Sequence, residues 1–206
     1  MNPNPPMFEN GNVPPRRLAN AARRPREYLT AEEVERLMAA ARSRSGRYGH
    51  RDATMVLLAF RHGLRVSELC ALRWDMLELA QGHLQVRRLK SGRSSVHTVR
   101  GTELRALRRL QREQAPPSPY LFTTERRTPM SAAGFRKQLM VIGMAAEFPF
   151  PVHPHMLRHG CGFALAHGRH DTRAIQEWLG HRNIQHTTRY TELTTHRFKD
   201  FWQQED

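Results

Sequence analysis

The chain has 206 residues, 39% of them apolar, enough for one or two domains with a sizeable core. Its 33 Lys and Arg against 19 Asp and Glu give a formal charge of +14, which suits a polyanion such as nucleic acid better than a small substrate. The longest apolar run, MVLLAF at 55–60, is far too short to span a bilayer, and no signal peptide opens the chain, so a cytoplasmic protein with no membrane partner is expected.

Residues 1–26 are proline-rich, carry five arginines against one acid and show no helical period, and are read as a disordered basic arm. The remaining residues, 27–206, still hold 28 basic and 18 acidic side chains, so the charge belongs to the folded part as well. Order begins at YLTAEEVERLMAAAR, where Thr30 and Glu33 have the spacing of a capping box. A second helix over about 50–62 carries MVLLAF and stops at Gly63. HLQVRRLK and SSVHTV then alternate around SGR and predict a β-hairpin. Helices follow at about 102–114 with Thr102 as cap, 131–146 with Ser131 as cap, 154–167, 171–179 with Asp171 as cap, and a last pair over about 186–203. The expected fold is mostly α with a small antiparallel sheet. Cys70 and Cys161 fall in apolar helical patterns and read as reduced core residues.

The segment 153–190, HPHMLRHGCGFALAHGRHDTRAIQEWLGHRNIQHTTRY, is dense in histidine. A zinc site would need three or four converging ligands, and neither CxxC nor HExxH is present, so no metal is expected. The simplest account of His159, His167, His170 and His186 is a solvated basic helix face. His155 and Arg158, three apart on one helix, share an edge and can reach one ligand. Gly180 ends the next helix and leaves His181 projecting from its C-terminal turn; Tyr190 follows nine residues later. Upstream, GLRVSEL sets Arg65 just past a helix end with Glu68 one turn on, and RRLKSGR sets Lys90 at the hairpin tip.

In that order HGLRVSELCALRW, the LK hairpin, HPHMLRH, LGHRN and RYT resemble the catalytic domain of the tyrosine recombinases, the phage-integrase family. They are most similar to its short fimbrial phase-variation branch. The resemblance covers about 28–203 and implies the α+β fold of that catalytic domain over 27–206, without a separate core-binding domain. It also implies DNA strand exchange through a 3′-phosphotyrosine, with inversion of a promoter-bearing segment. Bond energy is retained in such an exchange, so no ATP and no cofactor is implied. By the resemblance Tyr190 is the nucleophile, Arg65 and Arg158 clamp the phosphate, and Lys90 protonates the leaving 5′-oxygen. His155 assists proton transfer at the tyrosine, His181 hydrogen-bonds the phosphate and Glu68 orients Arg65. Arg87, Arg88, Arg93, His159 and Arg182 are candidate DNA contacts.

The chemistry accounts for these residue types. A guanidinium donates parallel hydrogen bonds to phosphate and keeps its charge. A lysine carries a transferable proton. An unassisted phenol is ionised in only about one molecule in a thousand at pH 7. The implied partners are double-stranded DNA with inverted-repeat sites, a homotetramer on paired sites from a monomer or weak oligomer, and accessory DNA-bending proteins. A non-catalytic DNA-binding regulator on the same scaffold is the alternative.

Overall fold

The computed structural model describes residues 26–44, 46, 48–88, 94–114 and 117–192. The arm, apart from Arg26, lies outside them, as do Lys90, Arg93 and everything after Glu192. Helix α1 (Ala31–Ser43) opens on the expected capping box: the Thr30 hydroxyl accepts from the Glu33 amide, and the Glu33 carboxylate accepts from the Thr30 amide at 2.8 Å. Its stripe of Val34, Leu37, Met38 and Ala41 is buried. Helix α2 (Gly49–Arg61) is buried on every side from Arg51 to Phe60 and forms the centre of the domain. A helix so enclosed must pair its charges, and the Arg51 guanidinium meets Asp52 at 2.8 Å. Gly63, at φ 55°, turns the chain out of α2, and a five-residue helix α3 (Val66–Cys70) follows with Arg65 at its N-cap.

A 3₁₀ turn (Trp74–Met76) leads into a three-stranded antiparallel sheet of β1 (Leu77–Glu78), β2 (His83–Val86) and β3 (Ser95–Thr98), in that order, with Leu84 opposite His97. The expected hairpin is β2 and β3. The two-residue β1 is too short to carry an alternating pattern and is legible only through its pairing. Helix α4 (Thr102–Glu113) starts one residue earlier than expected: Gly101, at φ 51°, makes the turn, and Thr102 is its first residue rather than its cap. Helix α5 (Ala132–Ala145) is capped by Ser131, whose hydroxyl accepts from the Gly134 amide at 2.9 Å.

Helix α6 (Pro154–His167) has proline at its first position, where no amide is needed. Helix α7 (Thr172–Leu179) is capped by Asp171, whose carboxylate accepts from the Arg173 and Ala174 amides, and it ends at left-handed Gly180. Helix α8 (Gln185–Glu192) carries Tyr190 on its buried side. Two apolar clusters result. The larger gathers α1 to α5 and the sheet; the smaller joins Cys161, Phe163 and Ala166 of α6 to Ile175 and Leu179 of α7 and to Tyr190. Cys70 and Cys161 are buried in the core with free thiols. Among the described residues no helix is long and apolar enough to cross a membrane.

Candidate active site

Arg158 joins the parts of the site. Its side chain is buried in α6, and its Nη1 donates to the carbonyl of Gly63 while Nη2 donates to that of Leu179 at 2.7 Å. Gly63 lies two residues before Arg65, and Leu179 two before His181. One guanidinium therefore clips the α2–α3 turn to the end of α7, two segments more than a hundred positions apart in the chain. Burial, with Arg65 and Arg88 nearby, lowers Arg158 to about 10, which leaves it charged at neutral pH.

Arg65 is partly exposed, as a group meeting a ligand must be, and is held from behind. Its Nη1 donates to Glu68 Oε1 at 2.7 Å and its amide donates to Oε2 at 2.9 Å. Burial works against the Glu68 carboxylate, but the Arg65 amide and the Arg88 and Arg65 guanidinium groups outweigh it and hold Glu68 below the ordinary carboxylate range. Glu68 thus holds the Arg65 side chain and amide together.

His181 follows the left-handed turn and is half-buried, with Nδ1 2.9 Å from the hydroxyl of buried Thr187. Burial first, then Arg158 and Arg65, lower its pKa to about 3, so the ring is neutral at pH 7. A Thr187 hydroxyl that donates to Nδ1 would place the ring proton on Nε2. The His181 and Tyr190 rings stack at 6.3 Å and 20°.

Tyr190 is 1% exposed. Its ring packs edge-on against Phe163 at 5.0 Å and lies flat over Gly162, where a side chain would collide with it. Burial raises the phenol pKa, and the charges of Arg189 and Arg158 oppose that rise. The hydrogen-bond partner of its hydroxyl is His159, with Nδ1 at 2.8 Å. This corrects the reading of His159 as a solvated or DNA-facing side chain, because the ring is turned inward to the tyrosine. His155 is exposed one turn earlier, with its ring 6.4 Å from that of His159. In this structure the hydrogen bond to the tyrosine oxygen is made by His159.

A second correction concerns Arg88. Its side chain is shut off from solvent: Nη1 donates to Glu68 Oε2 at 2.8 Å, Nη2 to the Trp178 carbonyl, and the stem lies against Gly180. It has no surface to offer a duplex and instead braces Arg65 and the His181 turn from within. Arg87 and Arg182 are exposed, in keeping with contact to a polyanion. Lys90 and Arg93 lie outside the described residues. Among those residues no three His, Cys, Asp or Glu side chains are grouped to hold a metal ion.

Helical spacing sets His159 one turn after His155 along the same edge, but it cannot show that the ring turns inward to the tyrosine. A signal for its surroundings was present in HGCGF: glycine inside a helix costs about 1 kcal/mol against alanine and marks close approach of another group. For Gly162 that group is Tyr190.

The model of the phage integrase family matches residues 27–197. FimE, a type 1 fimbriae regulatory protein of Escherichia coli strain K12, is 41% identical over 183 residues, 86% of this chain and 91% of its own length. The crystal structure of XerA recombinase is similar with a TM-score of 0.71 at 26% identity, over 85% of this chain and 63% of that one. The XerH site-specific recombinase bound to its difH substrate before cleavage shares the fold with a TM-score of 0.72 at 20% identity, over 86% and 54%. This chain spans less than two thirds of both recombinases of known structure.

Proposed function

Because the chain belongs to the phage integrase family, we propose that it is a site-specific tyrosine recombinase, with residues 27–206 as its catalytic domain. Tyr190 attacks a DNA phosphodiester. The bond from its oxygen to phosphorus forms as the bond to the 5′-oxygen breaks, leaving a 3′-phosphotyrosine. A 5′-hydroxyl of the partner strand reverses the step. Arg65 and Arg158 hold the non-bridging oxygens and stabilise the charge that builds on them in the transition state. His181, neutral with its proton on Nε2, donates a further hydrogen bond there. Lys90 supplies the proton that the 5′-oxygen takes on leaving. His155, exposed at the first turn of α6, assists proton transfer at the tyrosine. These cations and donors do what a divalent ion does in other phosphoryl-transfer sites, and no cofactor enters the scheme.

The observation that carries this reading is the buried Arg158 clip, which sets Arg65, His181 and Tyr190 around one guanidinium. The 41% identity to a fimbriae regulatory protein over nearly the whole of both chains supports the narrower role of inverting a promoter-bearing segment between inverted repeats. In that role the protein assembles as a tetramer on paired sites, with DNA-bending proteins assisting, and works in the cytoplasm. The charge of +14 and the exposed Arg87 and Arg182 fit a DNA partner.

Covalent capture is the test. Duplexes from a random-sequence pool, nicked near the centre, are incubated with the protein and recovered as denaturant-resistant adducts. Wild-type protein is expected to yield 3′-linked adducts on a selected sequence, and Tyr190→Phe is expected to bind that sequence without linking to it. Binding without any wild-type adduct would leave the non-catalytic regulator as the function.

A further inference from the structure

Lys90 belongs to the segment that joins β2 to β3, and each of these strands is tied to the site at its base. Arg88, just past β2, reaches Glu68 and the Trp178 carbonyl. On β3 the tie is His97. That strand turns one fully buried side chain to the interior, His97 at 0% exposure, while Val96 beside it is 63% exposed. The His97 Nδ1 lies 3.1 Å from Nδ1 of His62, the residue that follows α2 and precedes the Arg65 turn. We propose that His97 is a positioning residue for the reaction: its contact with His62 seats the hairpin, and with it the segment that carries Lys90, against the Arg65 turn. This rests on the reading of Lys90 as the general acid and names what places that acid.

The contact is directional. Two Nδ1 atoms at this distance share one proton, so one ring donates and the other accepts. It exists only in the register that sets His97 opposite Leu84; a slip of β3 by one residue would turn Val96 or Thr98 inward and carry His97 out to solvent. The ring is also held from a second side. Trp178 of α7 stacks on it with centroids 3.8 Å apart at 23°, and the indole Nε1 donates to the carbonyl of Arg61 at 3.1 Å. Trp178 thus meets both ties of the hairpin, His97 with its ring and Arg88 with its carbonyl, on the helix that leads to His181.

The pair is closed to solvent. His62 is 1% exposed, and its Nε2 lies 2.9 Å from Glu103 Oε1 in the first turn of α4, a close contact rather than an aligned hydrogen bond. Burial, then His62 and Arg88, lower His97 to about 3, so its ring is neutral at pH 7. A neutral ring without access to solvent offers DNA neither charge nor contact; it acts through the neighbours it holds. Those neighbours matter because proton delivery to the 5′-oxygen depends on distance, and a displacement near 1 Å costs about 10²-fold. The two nitrogens of His97 have separate tasks: Nδ1 reaches across to His62, whereas Nε2 stays on its own strand, 2.9 Å from Ser95 Oγ.

That division gives the test. Asparagine sets a polar atom near the place of Nδ1, glutamine near that of Nε2. The probe is the nicked duplex selected by wild-type capture, made with oxygen or with sulfur at the bridging 5′-position; the sulfur leaves as a thiolate and needs no proton. His97→Gln, which gives up the His62 contact, is expected to bind both duplexes as wild type does and to form adduct on the oxygen duplex about 10- to 10²-fold more slowly, yet at close to the wild-type rate on the sulfur duplex. His97→Asn, which keeps the His62 contact, is expected to match wild type on both. Should His97→Gln fail to bind, His62→Gln removes the same contact from the other side, and the same pattern is expected of it. A Gln variant that reacts at the wild-type rate on the oxygen duplex, or is slowed equally on both, overturns the inference, as does an Asn variant as slow as the Gln one. Lys90→Ala tests the premise separately. Equal slowing of Lys90→Ala on both duplexes overturns the general-acid reading and this inference with it. Sulfur that restores Lys90→Ala but not the Gln variant overturns this inference alone.

Discussion

Arg88 and Glu68 form an ion pair at 2.8 Å with both side chains closed to solvent, 0% and 1% exposed. Each uses its remaining capacity to reach another part of the site, Glu68 to Arg65 and Arg88 to the carbonyl of Trp178. Removing Arg88 leaves the buried Glu68 carboxylate to Arg65 alone, and removing Glu68 strands the Arg88 guanidinium, so in either case part of the desolvation goes uncompensated. Arg88→Met is therefore expected to lower unfolding stability by about 3–5 kcal/mol, and the double variant Arg88→Met with Glu68→Gln by clearly less. Urea denaturation of the two variants measures both. Equal losses would show that the pair is not coupled as the geometry requires.

Acid is expected to destabilise the fold through histidines held neutral inside it. Burial, with His62 and Arg88, lowers His97 to about 3; burial also leads in lowering His159 to about 4 and His181 to about 3. In the unfolded chain these rings titrate near 6.5, so below that pH the unfolded state binds protons that the native state refuses. Their stabilising contribution is complete above about pH 6.5 and is lost as pH falls toward 3–4. The slope is at most about 1.4 kcal/mol per pH unit for fully buried His97 and less for half-buried His159 and His181. Melting temperatures from pH 7 to pH 4.5 test this, and His97→Asn is expected to flatten the decline. A melting temperature that held or rose on acidification would refute it.

Much of this fold was legible because its signals are local. Caps at Thr30, Ser131 and Asp171 and the stops at Gly63 and Gly180 lie where short-range chemistry puts them. Arg65, Glu68, Arg158, His181 and Tyr190 were legible as an ordered set of residue types, and the structure gathers them. What stayed hidden depends on packing between distant segments. Nothing in VRRLK distinguishes Arg87, which is exposed, from Arg88, whose neighbours come from α3 and α7. Likewise the roles of His155 and His159 depend on where α8 lays the Tyr190 ring, which no pattern within α6 reveals.

Lys90 is expected to matter to one oxygen only. If it protonates the 5′-leaving group, Lys90→Ala slows cleavage of ordinary DNA by about 10²- to 10⁴-fold. A duplex with sulfur at the bridging 5′-position releases a thiolate that departs without a proton, and on it the same variant should cleave at close to the wild-type rate. Single-turnover cleavage of the two substrates makes the comparison. Equal slowing on both would remove Lys90 from the general-acid role.

Two glycines of α6 separate the seat of the nucleophile from the stability of the fold. A Cβ on Gly162 would lie 2.6 Å from Cε2, 2.7 Å from Cζ and 2.8 Å from Cδ2 of Tyr190, so the ring must move aside. A ring is a side chain and can yield, and alanine favours a helix over glycine by about 1 kcal/mol, which offsets part of the strain. Gly162→Ala is thus expected to stay folded with stability within about 2 kcal/mol of wild type. Its Tyr190 hydroxyl, however, is displaced from His159 and from the phosphate, and a misplacement near 1 Å costs a reaction about 10²-fold. A Cβ on Gly160 would instead meet the backbone carbonyl oxygen of Leu29 at 2.4 Å, with the Phe60 ring behind it. Backbone cannot step aside, so Gly160→Ala is expected to lose stability first and activity only as a consequence. Thermal melts and adduct rates on both variants, with DNA affinity as control, distinguish the cases. A Gly162→Ala protein that links to DNA at the wild-type rate would mean that the tyrosine reacts from some other place than the one in which α6 holds it.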